Sequence, residues 1–273
     1  MIPDIWANDV LAMVAHDLRN PLTCIEGYAT TLQLVSMSED EKEQVIHRIL
    51  SCTRWASVLV NDLMDAVAVE QGRLSMHRQA VTLDSVLDEA AQGFEIVCRE
   101  KRIHLKLLRS KGPFLVMADP IRIRQVLHNL ISNAVKHVGP EGHILVSAHH
   151  SGSKAVIEVM DNGAGIDPKD QPHLFEKFFR RGEPSRGSLG LGLYIAHAIV
   201  EAHEGAIGVR SDGLGKGATF HFTLPIFKPE EAYLQYKKAK RSDTPLPRKL
   251  SAQARPGLLD GGVNGFSDGR LPH

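Results

Sequence analysis

Three cysteines, Cys24, Cys52 and Cys98, are all that the 273 residues carry, an odd number spread widely along the chain. That leaves no disulfide framework and points to a reducing compartment, expected to be the cytoplasm. No apolar run approaches the roughly 20 residues that span a bilayer, and no charged-then-apolar leader is recognisable. The 32 basic residues are balanced by 32 acidic ones, so no nucleic-acid partner is expected and nothing favours an anionic membrane surface. Histidines stand side by side only at His149-His150, without cysteine or carboxylate at zinc-ligand spacing. The pattern G-x-x-x-x-G-K-[ST] is absent, which excludes a P-loop. No acidic residue follows Gly190-x-Gly192 in the strand context of a dinucleotide fold.

What is present falls into three segments. Residues 1–72 read as two long helices. Leu11, Val14, Ala15, Leu18, Leu22, Ile25, Ala29 and Leu32 recur at spacings of three and four. Ser36–Glu41 offers a turn and an N-cap, and then Ile46, Ile49, Thr53, Ala56, Val60, Leu63 and Val67 keep a heptad rhythm. The stripes are wide enough that a hairpin leaves apolar surface over, and pairing with a second copy into a four-helix bundle would bury it. Residues 73–227 mix strands and helices. "RLSMHR", "IHLKLL", "FLVMAD", "HILVSAH", "KAVIEVMD" and "ATFHFTLP" read as strands, and Thr82–Lys101, Asp119–Val138 and Ser188–His203 as helices. The expected class is α+β, a mixed sheet with helices on one face. Residues 228–273 read as a short helix and a Pro/Gly/Ser-rich disordered tail.

Chemistry concentrates in four places. Asn129 and Asn133 share one face of their helix, continued by Lys136 and His137, while Ile123, Leu127, Leu130 and Ala134 face elsewhere. Asparagine is a poor mid-helix residue, and its amide oxygen is a hard neutral ligand suited to Mg²⁺ that already carries phosphate and water. In "VMDNGAGI", Asp161 ends a strand on the side of Ile157 and Val159, where a buried carboxylate needs a donor such as the adenine amine. Gly190 and Gly192 open a helix whose backbone N–H groups can approach phosphate. In "HDLRNPL", His16 points away from Val14, Ala15 and Leu18; Asp17 can accept its Nδ1–H, leaving Nε2 as nucleophile. Pro21 is expected to bend the helix beside it.

Taken in order, "VAHDLRNPL", "RIRQVLHNLISNAVKH", "DNGAGI", "LFEKFFRR" and "SLGLGLYIAHAIVEAH" resemble the H, N, first glycine, F and second glycine boxes of sensor histidine kinases. The resemblance runs from about Val10 to Pro225. It implies a dimeric four-helix bundle carrying the phosphoacceptor (1–72), followed by a Bergerat-type α/β sandwich that binds ATP and Mg²⁺ (73–227). It implies that His16 accepts the γ-phosphoryl group, that Asp17 orients the imidazole and acts as its base, and that Asn20 handles water in dephosphorylation. Asn133 would bind Mg²⁺ with Asn129 on the same wall, Lys136 would reach phosphate, and His137 would flank the nucleotide. Asp161 would read adenine, with Gly163 and Gly165 making room for the base beside Ile166. Phe175, Phe178 and Phe179 would anchor a short lid running through Arg180–Gly187. Leu189, Gly190, Leu191, Gly192 and Leu193 would bring that lid to the phosphates, and Thr219 completes the nucleotide set. The implied partners are a second copy, a response-regulator receiver domain, and an upstream sensor domain or separate sensor protein.

Two features depart from the family pattern. Ser188-Leu189 stands where Gly-Ser or Gly-Thr is usual, and Glu204 where a helix-ending glycine is common, with Gly205 expected to serve instead. Gyrase- and chaperone-type ATPases of the same fold activate water with a glutamate where this chain has Asn129. That difference and the H box argue against simple hydrolysis. The intact His16, Asn133 and Asp161 argue against a degenerate scaffold.

Overall fold

The computed structural model describes residues 4–109, 115–180 and 189–228. Helices α1 (Asp4–Leu34) and α2 (Glu39–Glu70) form the hairpin. Helix α1 continues through Pro21, which is buried. The ring still deprives the Asp17 carbonyl of its intrahelical donor. Helix α2 starts at a capping box: the Ser38 hydroxyl accepts from the Glu41 N–H, and the Glu41 carboxylate accepts from the Ser38 N–H at 2.9 Å. The backbone N–H holds the Glu41 carboxyl below its ordinary pKa.

"RLSMHR" is not a strand. Residues 73–78 are irregular because the His77 N–H is taken by the Asp119 carboxylate at 2.8 Å rather than by a neighbouring strand. The chain turns extended only at β1 (Gln79–Thr82). The helix expected over Thr82–Lys101 is two, α3 (Leu83–Gln92) and α4 (Glu95–Glu100). Gly93, weak in helix interiors, marks the break, which lets Phe94 turn into the core. Strand β2 (His104–Leu108) follows, then β3 (Leu115–Ala118), which pairs antiparallel with β1 as a separate two-stranded sheet.

The main sheet contains β2, β4 (His143–Ser151), β5 (Lys154–Asp161), β7 (Ala218–Pro225) and β6 (Ile207–Arg210), in that spatial order. Strands β2 and β4 are parallel and the other neighbours antiparallel. Strand β6 escaped the sequence because "IGVR" is four residues long and has no polar alternation. Helices α5 (Pro120–His137) and α6 (Gly192–Ala202) pack on the sheet face made by alternating residues such as Ile144, Val146, Ile157, Val159 and Phe222. Leu127, Leu130, Ile131, Ile195 and Ile199 fill the layer between, all fully buried.

Asp119 locks the front of this layer. Burial works to raise its pKa, but backbone N–H groups of His77, Arg122 and Ile121 outweigh that and hold the carboxyl below its ordinary value. Its own N–H donates to His203 Nε2 at 3.0 Å, while His203 Nδ1 donates to the Ile199 carbonyl at 2.8 Å. Glu204 itself, not Gly205, takes the left-handed conformation after α6, at φ 62°. Gly205 is required for a different reason: a Cβ there would stand 1.9 Å from the Thr223 carbonyl oxygen.

The described residues up to Ile226 form one compact unit. The short helix and tail expected beyond Lys228 lie outside the described residues.

Candidate active site

Asp161 closes β5, and the strand's alternation carries it to the buried face with 8% exposure. Its Oδ1 accepts from the Gly163 N–H at 2.8 Å. Burial raises its pKa, opposed by the N–H groups of Gly163 and Ala218 and by nearby His137. The glycines that follow serve contacts within the protein. A Cβ on Gly163 would stand 2.4 Å from the His137 carbonyl oxygen. One on Gly165, at φ +66°, would stand 2.1 Å from the Gly213 carbonyl oxygen. The loop 162–166 is thereby pressed against the glycine-rich turn 211–217. The Gly215 N–H donates to the Ala164 carbonyl at 2.7 Å, the Ile166 N–H to Ser211 Oγ at 3.0 Å, and Ser211 Oγ to the Gly217 carbonyl at 2.6 Å. That second loop was not singled out from sequence, although its Gly-x-Gly-x-Gly spacing was a signal. Thr219 stands just after it on β7, half-buried.

Helix α5 supplies the polar wall. Asn129 Nδ2 donates to the Gly192 carbonyl at 2.8 Å, and a Cβ on Gly192 would stand 3.3 Å from that amide. Asn129 therefore fixes the start of α6 against α5, with Gly192 the residue that permits the approach. One turn on, Asn133 is half-exposed, and among the described residues its amide has no hydrogen-bond partner. The described residues hold no cluster of three His, Cys, Asp or Glu side chains fit for a metal. A single amide oxygen suits a cation that arrives with phosphate oxygens and water. Lys136 and His137 end the helix on its exposed side. Desolvation lowers the Lys136 pKa, partly offset by Asp62.

Leu189 and Leu191 are buried, Leu193 half-buried, and Gly190, at φ +69°, accepts from the Phe178 N–H at 3.1 Å. Phe175 and Phe178 pack on the core, and Phe179 lies against His173 at 5.9 Å between ring centres. The F-box aromatics and the second glycine box are thus brought together at both ends of the lid. Of the expected lid, Arg180–Gly187, all but Arg180 lies outside the described residues. A cavity of about 770 Å³ lies elsewhere, between α3, α4 and β2, and includes none of these residues.

On the hairpin, His16 is exposed and its Nδ1 lies 3.1 Å from Asp17 Oδ1. Asp17, 6% exposed, also binds the Arg180 guanidinium at 3.1 Å. Below it, Asp65 of α2 takes Arg122 Nη1 on both oxygens at 2.9 Å and the Gln125 amide at 2.7 Å. Asp62, beside Asp65, has its carboxyl raised to about 6 by burial and by Asp65, against the opposing pull of Lys136. Lys177 and Glu70 form a further pair across the same junction. The His16–Asp17 contact is the one the sequence foresaw; the links from the hairpin to Arg122, Gln125, Lys177 and Arg180 were not legible, since partners up to 163 positions apart share no local pattern.

Residues 7–72 match the family model described as His Kinase A (phospho-acceptor) domain, and residues 118–228 match that of the Histidine kinase-, DNA gyrase B-, and HSP90-like ATPase. The chain belongs to the sensor histidine kinases. It is 34% identical over 233 residues to the adaptive-response sensory kinase SasA of Crocosphaera subtropica, which covers 82% of this chain and 60% of the relative. This histidine kinase chain therefore spans less than two thirds of that relative's length. Among solved structures it resembles full-length ShkA in complex with AMPPNP, at TM-score 0.60 and 27% identity over 80% of this chain and 46% of that one. It also resembles histidine kinase ThkA in complex with the response regulator protein TrrA, at TM-score 0.59 and 26% identity over 80% of this chain and 61% of that one. No helix among the described residues is long and apolar enough to cross a membrane.

Proposed function

We propose that the chain is the autokinase core of a two-component system: it transfers the γ-phosphoryl group of ATP to His16 and passes it to an aspartate of a response-regulator receiver domain. The observation that carries this is the exposed His16 with Nδ1 against the nearly buried Asp17 carboxylate, in the same chain as an ATPase-type domain. Donation from Nδ1 to Asp17 leaves the Nε2 lone pair to attack the γ-phosphorus. The N–P bond forms, the bond to the β-phosphate oxygen breaks, and ADP leaves. Asp17 steadies the proton on Nδ1 as the ring gains positive charge. Asn20, one turn from His16, is the residue assigned to the water of the reverse, phosphatase, reaction.

Asp161 binds the adenine amine, with Ile166 and Thr219 beside the base. Asn129 and the backbone of Leu189–Leu193 shape the phosphate end, with Lys136 supplying positive charge and His137 flanking the nucleotide. Phe175, Phe178 and Phe179 hold the lid's base. Asn133 is the residue that would hold Mg²⁺, which supplies charge neutralisation on the phosphates when bound. The ShkA–AMPPNP structure supports a nucleotide at this fold, and the ThkA–TrrA complex supports a regulator partner. A sensor domain or sensor protein would feed the hairpin.

The experiment is labelling with γ-radiolabelled ATP. The parental chain should take up label that acid removes and base does not. His16→Ala should bind ATP normally and take up none, and Asn133→Ala should lose both labelling and the Mg²⁺ dependence of ATP affinity. Label on His16→Ala would reject the assignment.

A further inference from the structure

Helices α1 and α2 run antiparallel, and one contact fixes their register: Arg48 donates to the Tyr28 hydroxyl at 3.5 Å, with its guanidinium 5.8 Å from the ring centre. Four residues back along α1 and four forward along α2 stand Cys24 and Cys52. Residues four apart share a helix face, so this register places the two thiols on facing sides of the hairpin, one turn from that contact. They act on each other as well: burial pushes the Cys52 thiol up, and Cys24 adds to the effect. Cys24 is exposed and Cys52 half-buried, so small reagents reach the pair, whereas Cys98 is buried in the α/β core. Leu22, the exposed leucine of this stretch, lies on nearly the opposite side of α1, so a partner copy docked through it leaves the thiols accessible.

We propose that Cys24 and Cys52 form a reversible dithiol–disulfide pair that staples α1 to α2 when the chain meets hydrogen peroxide. The Cys24 sulfur attacks a peroxide oxygen. The O–O bond breaks, water leaves, and Cys24 becomes a sulfenic acid. The Cys52 sulfur then attacks Cys24: the S–S bond forms, the S–O bond breaks, and a second water departs with the Cys52 proton. Two thiols are oxidised and one peroxide is reduced to two waters. Cellular dithiols reverse the step by exchange.

The staple lies two turns from His16, about 12 Å along the helix, with Pro21 between. Because Pro21 leaves the Asp17 carbonyl without its intrahelical donor, the His16–Pro21 stretch is where α1 bends most easily. Fixing α1 to α2 just beyond that stretch removes this freedom and slows phosphorylation of His16. This last step rests on the phosphoacceptor role proposed above; the cross-link itself does not.

The test treats the full chain with hydrogen peroxide, blocks remaining thiols, and maps peptides without reduction. The expected product is a Cys24–Cys52 linked peptide that dithiothreitol abolishes, with Cys98 still a thiol. Labelling of His16 should fall severalfold on oxidation and recover on reduction, and Cys24→Ser and Cys52→Ser should each keep parental labelling in peroxide. The proposal is overturned by absence of the linked peptide, by linkage only between two chains, or by a linked chain that labels at the reduced rate. A chain that links but takes no label even when reduced fails the kinase reading and leaves the thiol pair standing.

Discussion

At the scale of single residues, Asp161 is the sharpest of the nucleotide contacts proposed above. It is nearly buried, and one oxygen is already held by the Gly163 N–H. Asp161→Ala removes the acceptor proposed for adenine, worth about 1.5–3 kcal/mol for a hydrogen bond to a charged group. Calorimetry should show ATP binding at least about tenfold weaker, with the melting temperature near parental. Equal affinity in a folded variant would reject the adenine contact. Titration behaviour is also set residue by residue. Burial lowers the pKa of His128, His203 and His221 below their ordinary 6.5. Between the lowered and ordinary values the unfolded chain binds protons that the folded chain refuses, so these histidines cost stability as pH falls through 6.5. Asp62 acts in the opposite sense. Its carboxyl, raised from 3.8 to about 6, takes a proton in the folded state first, so it stabilises progressively as pH falls toward 4. Asp62→Asn should therefore raise stability at pH 8 by up to about 3 kcal/mol. It should also steepen the loss on acidification to pH 5.5. Urea midpoints at the two pH values check both.

At the scale of elements, the α2 capping box carries the clearest local energy. Ser38 is exposed, and among the described residues its hydroxyl hydrogen-bonds only with Glu41. Ser38→Ala should lower stability by about 1 kcal/mol, read as a shift in thermal melting, and leave ATP affinity unchanged. A variant as stable as the parent would mean that the turn 35–38, not the cap, sets where α2 begins. How well elements were legible follows the same logic. β5 and β7 were read to the residue because strict alternation marks a half-buried strand. The break at Gly93 and the irregular 73–78 were missed because they depend on Phe94 finding the core and on His77 finding Asp119, contacts that local periodicity does not encode.

At the scale of the whole molecule, the hairpin leaves Leu22, Ile46, Leu50, Val60, Met64 and Val67 each more than 40% exposed. At about 25 cal/mol per Å², covering such a surface favours a second copy, and the proposed state is a homodimer joined as a four-helix bundle. Light scattering of the full chain should give twice the mass of one chain at micromolar concentration. The double variant Leu22→Asp, Val60→Asp should give a monomer that still binds ATP. A parental monomer would count against the bundle.

The sequence by itself determined the helical hairpin, most of the sheet and the family, and it named the residues proposed to bear chemistry. Each of those is written in local spacing: heptads in α2, alternation in β5, paired asparagines in α5, glycines in "DNGAGI". Only the tertiary structure decided what those residues touch. It turned Asn129 into the clamp on Gly192, set Gly163 against the His137 carbonyl and Gly165 against the Gly213 carbonyl, and brought Cys24 within electrostatic reach of Cys52. It also set Arg180 on Asp17 and Arg122 on Asp65, ion pairs whose partners lie 163 and 57 positions apart. Periodicity reports which face of an element is buried. It carries no information on which distant charge arrives there, because that depends on how the elements stack once the chain has closed on itself.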